Sequence, residues 1–378
     1  MIINNVHLVL ENEVVYGSLD VQNGVITHVS SACSQQPGAF DGEGGFLLPG
    51  LVELHTDNLD KFFTPRPKVD WPAYSAMSSH DALMVANGIT TVLDAIAVGD
   101  VRDGGHRFDN LNKMVEAIRQ GQEKGLNRAE HWLHLRCELP YDATVPLFEQ
   151  LMNTPDLLLV SLMDHSPGQR QYTSLQKYRE YFQGKYHLSN LQMDAFEEEQ
   201  RGLAACWSQP NRLAIAALCR KKGIALASHD DATVEHVNES LQVGCAIAEF
   251  PTTEAAARYS HDRGLLVLMG APNVVRGGSH SGNVSASQLA QQGLLDILSS
   301  DYYPASLLDA AFRLAQDESN PYDLPRAITL LTRNPARAIG LHDRGVIAEG
   351  GRADLVLAHT LHGHVHIRYV WAKGQKVY

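Results

Sequence analysis

His55 and Asp57, in the stretch LVELHTDNLDKFFTPRPKVDW (residues 51–71), are chelating side chains one residue apart, followed closely by Lys61, Arg66 and Lys68. Side chains at i and i+2 of a strand point the same way, so this pair can grip one ion. A metal site followed at once by cations predicts an anionic substrate held against a metal. Glu138, His165, His229 with Asp230 and Asp231, and Asp301 come at the ends of later apolar runs. The set is imidazole and carboxylate without thiolate, which suits Zn²⁺ and also Mn²⁺ or Fe²⁺. Taken singly, each residue has a plain structural use. Asp57 could cap NLDKFF, Glu138 could end a strand, His165 could bond its turn, and Asp301 could sit in one. Asp231 with Thr233 reads as a helix cap, preferentially through Asp231. Five chelating residues at five strand ends make the joint metal reading the stronger one.

Three groups are candidates for holding the anion. RGGSHSGN (276–283) offers glycines whose N–H groups can converge on phosphate, namely Gly277 and Gly278, with Arg276, Ser279, His280 and Ser281 as further donors. The Lys61–Lys68 segment, stiffened by Pro65 and Pro67, is the second, and Gln169 with Arg170 the third. The first could instead be an ordinary glycine-rich loop and the second solvated surface, but phosphate binding is the stronger reading of the loop, and the prolines and flanking aromatic residues are unusual for idle surface.

These residues need a scaffold that gathers strand ends. Strand-like runs lie at 51–57, 88–95, 133–139, 157–165, 224–231, 245–251, 265–272 and 294–301, with helix-like stretches between most of them. Eight near-continuous apolar strands alternating with helices predict a parallel (β/α)₈ TIM barrel, whose catalytic groups sit at the C-terminal strand ends. Residues 1–48 and 345–378 read as short strands with turns, Asn23-Gly24 and Lys373-Gly374 among them. The expected organisation is therefore a split β-sandwich (1–48 and 345–378) around a barrel (49–344). A charged helical insertion at 167–210 reads as a lid or an oligomer contact.

With 378 residues, 44% of them hydrophobic, the chain can bury a large core. Its net charge of −12 argues against a general nucleic-acid or anionic-membrane surface, so an anion site must be local. Five dispersed cysteines fit a reducing cytoplasm, and neither a signal peptide nor a membrane span is expected.

The terminal β-segments, LLPGLVELHTD and GVIAEGGRADLVL resemble the amidohydrolase superfamily. That superfamily usually carries H-x-H on its first strand; Asp57 stands here in place of the second histidine. More closely, ELHTDNLDKFFTPRPKVDW, SLMDHSPGQRQ, ALASHDDAT, AEFPTT, NVVRGGSHSGN and DILSSDYYPASLLDAA are similar to the triphosphate diphosphatases of phosphonate utilisation. The resemblance implies a ribose substrate with a 1-methylphosphonate and a 5-triphosphate, from which water releases diphosphate. It implies one or two divalent ions, most simply zinc, with His55 and Asp57 as first-strand ligands and Glu138 near or bridging the metals. His165 and His229 would be the later ligands, and Asp301 the last-strand ligand and base, with Asp230 or His280 as alternatives. The two histidines fall on strands four and five, where the superfamily more often uses five and six. A cyclic-amide hydrolase or deacetylase on the same scaffold, or a non-catalytic subunit of a phosphonate-degrading complex, are the rival readings. A homo-oligomer is compatible with all of them.

Overall fold

The computed structural model describes residues 1–66, 69–99, 106–172, 174–279 and 282–378. The chain divides into two compact units: Met1–Asp94, Met114–Trp132 and Met269–Tyr378 form one, and Ala95–Lys113 with Leu133–Leu268 the other.

In the first unit, strands from both chain ends share one mixed sheet. Ile2–Val9 lies between Val14–Gln22 and Phe46–Pro49, and the latter pairs with Leu355–Leu361 from the C-terminal segment. Alternation supplies the apolar face: Ile3, Val6, Leu8, Leu19, Ile26, Leu47, Leu355 and Trp371 meet in one cluster. The hairpin at Asn23-Gly24 forms as expected, with φ of 51° and 79°. Two consecutive positive φ values make the turn whose twist matches the strands it joins.

The second sheet holds eight strands in chain order: Leu51–Thr56, Ile89–Val98, Glu130–Glu138, Leu157–Met163, Ala225–His229, Ile247–Glu249, Leu266–Gly270 and Ile297–Ser299. Leu51–Thr56 is buried along its whole length, as a strand covered on both faces must be. The eighth strand returns to the first through a bridge between Thr56 and Asp301. This is the expected (β/α)₈ barrel.

In the second unit, the insertion opens with a single 3₁₀ turn, Arg170–Tyr172, followed by helices Leu175–Tyr186 and Asn190–Lys222. The second helix runs through Pro210 to Lys222, because the break that proline costs is outweighed by a long packed helix with a Ser189/Gln192 capping box and a left-handed Gly223. Tyr172, Tyr178 and Met193 form the insertion's own small core.

Candidate metal centre

In the first unit, His55 is the last residue but one of the first strand, Leu51–Thr56, and Asp57 lies just beyond it. The His55 Nε2 to Asp57 Oδ1 separation is 3.6 Å, and Asp301 belongs to the same group of donor atoms. Backbone bonds hold the three together: Asp301 N–H donates to the His55 carbonyl (3.1 Å) and Asp57 N–H to the Asp301 carbonyl (3.2 Å). Asp57 makes no capping hydrogen bond to helix Asn58–Phe63, so its cap reading falls away.

Beneath them lies Glu53, fully buried. Its carboxylate accepts from His55 N–H and Ser300 N–H, both at 2.7 Å, and Ser299 Oγ lies 2.7 Å from it. Burial raises its pKa, although the Ser300, Ser299 and His55 hydrogen bonds pull the other way. Glu53 thereby ties the first strand to the eighth at the residues that carry the donors.

In the second unit, His165, His229 and Asp230 form another donor group. Asp230 Oδ2 is 3.7 Å from His165 Nε2 and 3.4 Å from His229 Nε2, and the two rings meet edge to face. Each imidazole is held from behind through Nδ1, His165 by Glu138 Oε2 (2.6 Å) and His229 by Glu249 Oε2 (2.7 Å). Burial opposes a charged His165, but Glu138 and Asp230 outweigh it and raise its pKa to about 10.

The donor spacing fits a divalent ion. Bonds of about 2.1 Å in a tetrahedral shell put donors ~3.4 Å apart, close to the 3.6, 3.7 and 3.4 Å separations here. Asp230 and Asp301 both have positive φ, 57° and 54°. Non-glycine residues held in that region cluster where function needs an aimed side chain.

Several expectations need correction. Glu138, expected as a ligand, gives one oxygen to His165 N–H (2.9 Å) and the other to His165 Nδ1, so it orients the histidine. The cap expected from Asp231 falls to Thr233, whose hydroxyl accepts from His236 N–H at 3.3 Å. Asp231 instead pairs with Arg170, whose guanidinium is only 1% exposed and also reaches Glu239 at 3.3 Å. Arg170 is therefore part of the framework and is not offered to an anion. Gly277 and Gly278 N–H donate to the carbonyls of Val274 (3.2 Å) and Asn273 (2.9 Å). They close the helix Ala271–Arg276 and do not converge on a phosphate.

The remaining anion candidates are partly visible. Arg276 is exposed and reaches the Tyr302 hydroxyl at 3.4 Å, beside Asp301; Ser279 is half-buried. Lys61 reaches Asn58 Oδ1 at 3.2 Å, and Arg66 and Gln169 are exposed. Lys68, His280 and Ser281 lie outside the described residues.

Sequence reasoning missed Glu249, Ser161 and His134, and a fully buried group in the first unit. There Asp94 bridges His80 Nε2 (2.6 Å) and His131 Nδ1 (2.8 Å), and Asp81 meets Arg128 at 2.9 Å. Burial raises Asp94, but the two imidazoles outweigh it and hold it to about 2. The available signal was a lone carboxylate inside an apolar run, as in ITTVLDAIAV and CAIAEF.

Comparison with known proteins agrees with this architecture. The Klebsiella pneumoniae 5-methylcytosine deaminase structure liganded with phosphonocytosine is similar with a TM-score of 0.68 at 15% identity, covering 100% of this chain and 98% of that one. The Mycobacterium smegmatis N-acetyl-D-glucosamine-6-phosphate deacetylase has a TM-score of 0.66 at 15% identity, covering 100% of both. Likeness at such identities speaks for the fold alone. The Amidohydrolase family profile matches residues 236–378. The alpha-D-ribose 1-methylphosphonate 5-triphosphate diphosphatase of Escherichia coli (strain K12) is 69% identical over 378 residues, the whole of both chains. With that identity end to end, the family profile at its C-terminal part and the barrel between, the chain belongs to the amidohydrolase family.

Proposed function

We propose that the protein hydrolyses α-D-ribose 1-methylphosphonate 5-triphosphate to α-D-ribose 1-methylphosphonate 5-phosphate and diphosphate, as a cytoplasmic enzyme of phosphonate catabolism. The observation that carries this reading is the 69% identity along the full length to the diphosphatase of that name. The site residues support it.

His55, Asp57 and Asp301 would hold one divalent ion, and His165, His229 and Asp230 offer a second donor set. Zinc fits imidazole and carboxylate best, with manganese or iron as alternatives. A divalent ion there supplies the Lewis acidity that makes water nucleophilic at neutral pH and offsets phosphate charge. Asp301 takes the proton from the attacking water; its backbone clasp to His55 and Asp57 fixes where its carboxylate stands. Glu138 keeps His165 in one orientation. Arg276, beside Tyr302, and Lys61, four residues after Asp57, attract the polyphosphate and neutralise the departing diphosphate. Ser279, His280, Ser281, Arg66 and Lys68 remain candidate contacts of the same kind.

No helix among the described residues is long and apolar enough to cross a membrane. The five cysteines are free thiols, as a reducing cytoplasm would keep them. The test is ³¹P NMR of products from the purified protein, before and after chelation and with Zn²⁺ or Mn²⁺ restored. Diphosphate with the ribose 5-phosphate is expected, lost on chelation and regained with metal. Turnover of N-acyl or cyclic-amide substrates with none of the triphosphate would overturn the reading.

A further inference from the structure

Glu249 ends the three-residue strand Ile247–Glu249 with its side chain fully buried. An ionised carboxylate in such a place is costly unless donors surround it. Its Oε2 is 2.7 Å from His229 Nδ1 and 2.7 Å from Ser161 Oγ. Ser161 Oγ is in turn 2.5 Å from His134 Nε2. All four residues are buried.

The protons along this chain of groups have one consistent arrangement. A carboxylate only accepts, so the single hydroxyl proton of Ser161 points to Glu249. The Ser161 oxygen then accepts, so His134 carries its proton on Nε2 and donates it. His229 likewise carries its proton on Nδ1 and donates to Glu249. On a neutral His229 ring this leaves the lone pair on Nε2, the atom that lies 3.4 Å from Asp230 Oδ2. Glu138, on an independent strand, likewise holds His165 through Nδ1 at 2.6 Å.

We propose that Glu249 is a positioning residue: together with Ser161 and His134 it fixes the tautomer and orientation of His229, so that Nε2 is the atom presented to a divalent cation. The inference rests on the metal reading of His165, His229 and Asp230. Its chemical basis is general, since a carboxylate behind a ligand imidazole fixes its ring and raises its basicity. The same logic explains a carboxylate on a strand too short to need one for its own sake.

The test begins with the wild-type protein freed of metal and labelled with ¹⁵N-histidine, its ring nitrogens followed by NMR to the pH at which the signals show each ring neutral. His229 should show the Nδ1–H tautomer and His134 the Nε2–H tautomer. Glu249→Gln keeps an acceptor in place and should keep that tautomer. Glu249→Ala should give a mixture, and its affinity for Zn²⁺, measured by chelator competition, should fall by about 10- to 100-fold. An Nε2–H tautomer for His229 in the wild type would overturn the proposal, as would unchanged Zn²⁺ affinity in a folded Glu249→Ala protein. If Glu249→Ala does not fold, the wild-type and Glu249→Gln tautomers decide. A purely structural role would lower the melting temperature of Glu249→Ala while leaving both readouts unmoved. Neither readout involves substrate. A protein with the expected tautomers and Zn²⁺ affinities but no triphosphate turnover would remove the proposed reaction and leave this inference standing.

Discussion

Asp301 combines three features seldom found on one carboxylate. It has a left-handed backbone, main-chain bonds to the His55 carbonyl and the Asp57 amide, and a place in the donor group with both. Asp301→Asn keeps the shape and removes the proton acceptor, so kcat should fall by roughly 10²- to 10⁴-fold while KM changes little. Steady-state kinetics with a bound-metal assay checks this; near-normal kcat would move the base to Asp230 or His280. Two arginines from the original anion candidates should behave oppositely. Arg276→Ala should lower kcat/KM by about 10- to 200-fold, the loss of a charge-assisted contact of ~1.5–3 kcal/mol, with the melting temperature unchanged. Arg170→Ala should instead destabilise the fold by about 3–5 kcal/mol, because it leaves Asp231 buried without its partner. Thermal melts beside kinetics separate the two. The difference was invisible in QRQ and VVRGG, since burial is set by residues distant in sequence. That His55, Asp57 and Asp301 gather in one donor group, and His165 and His229 in another, was legible because chelating side chains stand out at the ends of apolar runs. Glu138 was legible as a site residue, but its role was not, because Oε1 and Oε2 meet His165 only after two strands pair.

At the scale of elements, the eight strands could be read because burial on both faces demands near-continuous apolar sequence. The interruptions in those strands carried information that periodicity does not weigh. Glu53, Asp94 and Glu249 are carboxylates inside apolar strands, and each sits among donors that no local pattern announces. All three are fully buried. His131, its partner, is opposed by burial but raised to about 9 by Asp94 and Asp81. Asp94→Asn should therefore cost about 3–5 kcal/mol, since it removes the nearer of the two carboxylates that compensate a buried imidazolium. Urea unfolding should show the loss at pH 7, and a change below about 1 kcal/mol would mean that the group carries no net charge pairing. The glycines after Arg276 illustrate the opposite error. A glycine pair between a helix and a loop reads as a phosphate cradle, but the same freedom of φ serves helix termination, and here it does.

For the molecule as a whole, both chain ends enter one sheet, and ion pairs hold the C-terminal segment. Glu130 accepts from Arg352 (2.7 Å) and Lys373 (2.9 Å) and also meets Arg344. Burial raises its carboxyl, but these cations outweigh it and hold the pKa to about 2 from an ordinary 4.5. Because the folded value is the lower one, the stabilisation is complete above about pH 4.5 and is lost as pH falls toward 2. It is at most about 3 kcal/mol, less where exposed Lys373 is screened by solvent. Glu130→Gln should be less stable than wild type at pH 7 and should lose part of the stability slope between about pH 4.5 and 2. Parallel slopes for the two proteins would assign acid sensitivity to other carboxylates.

The central claim is that water attacks the α-phosphorus, with diphosphate as the leaving group. Turnover of the ribose triphosphate in ¹⁸O-labelled water, followed by mass spectrometry of both products, tests it most directly. The account predicts one ¹⁸O in the ribose 5-phosphate and none in the diphosphate. Label in the diphosphate would place attack on the β-phosphorus, release of labelled orthophosphate would place it on the γ-phosphorus, and either result would contradict the account.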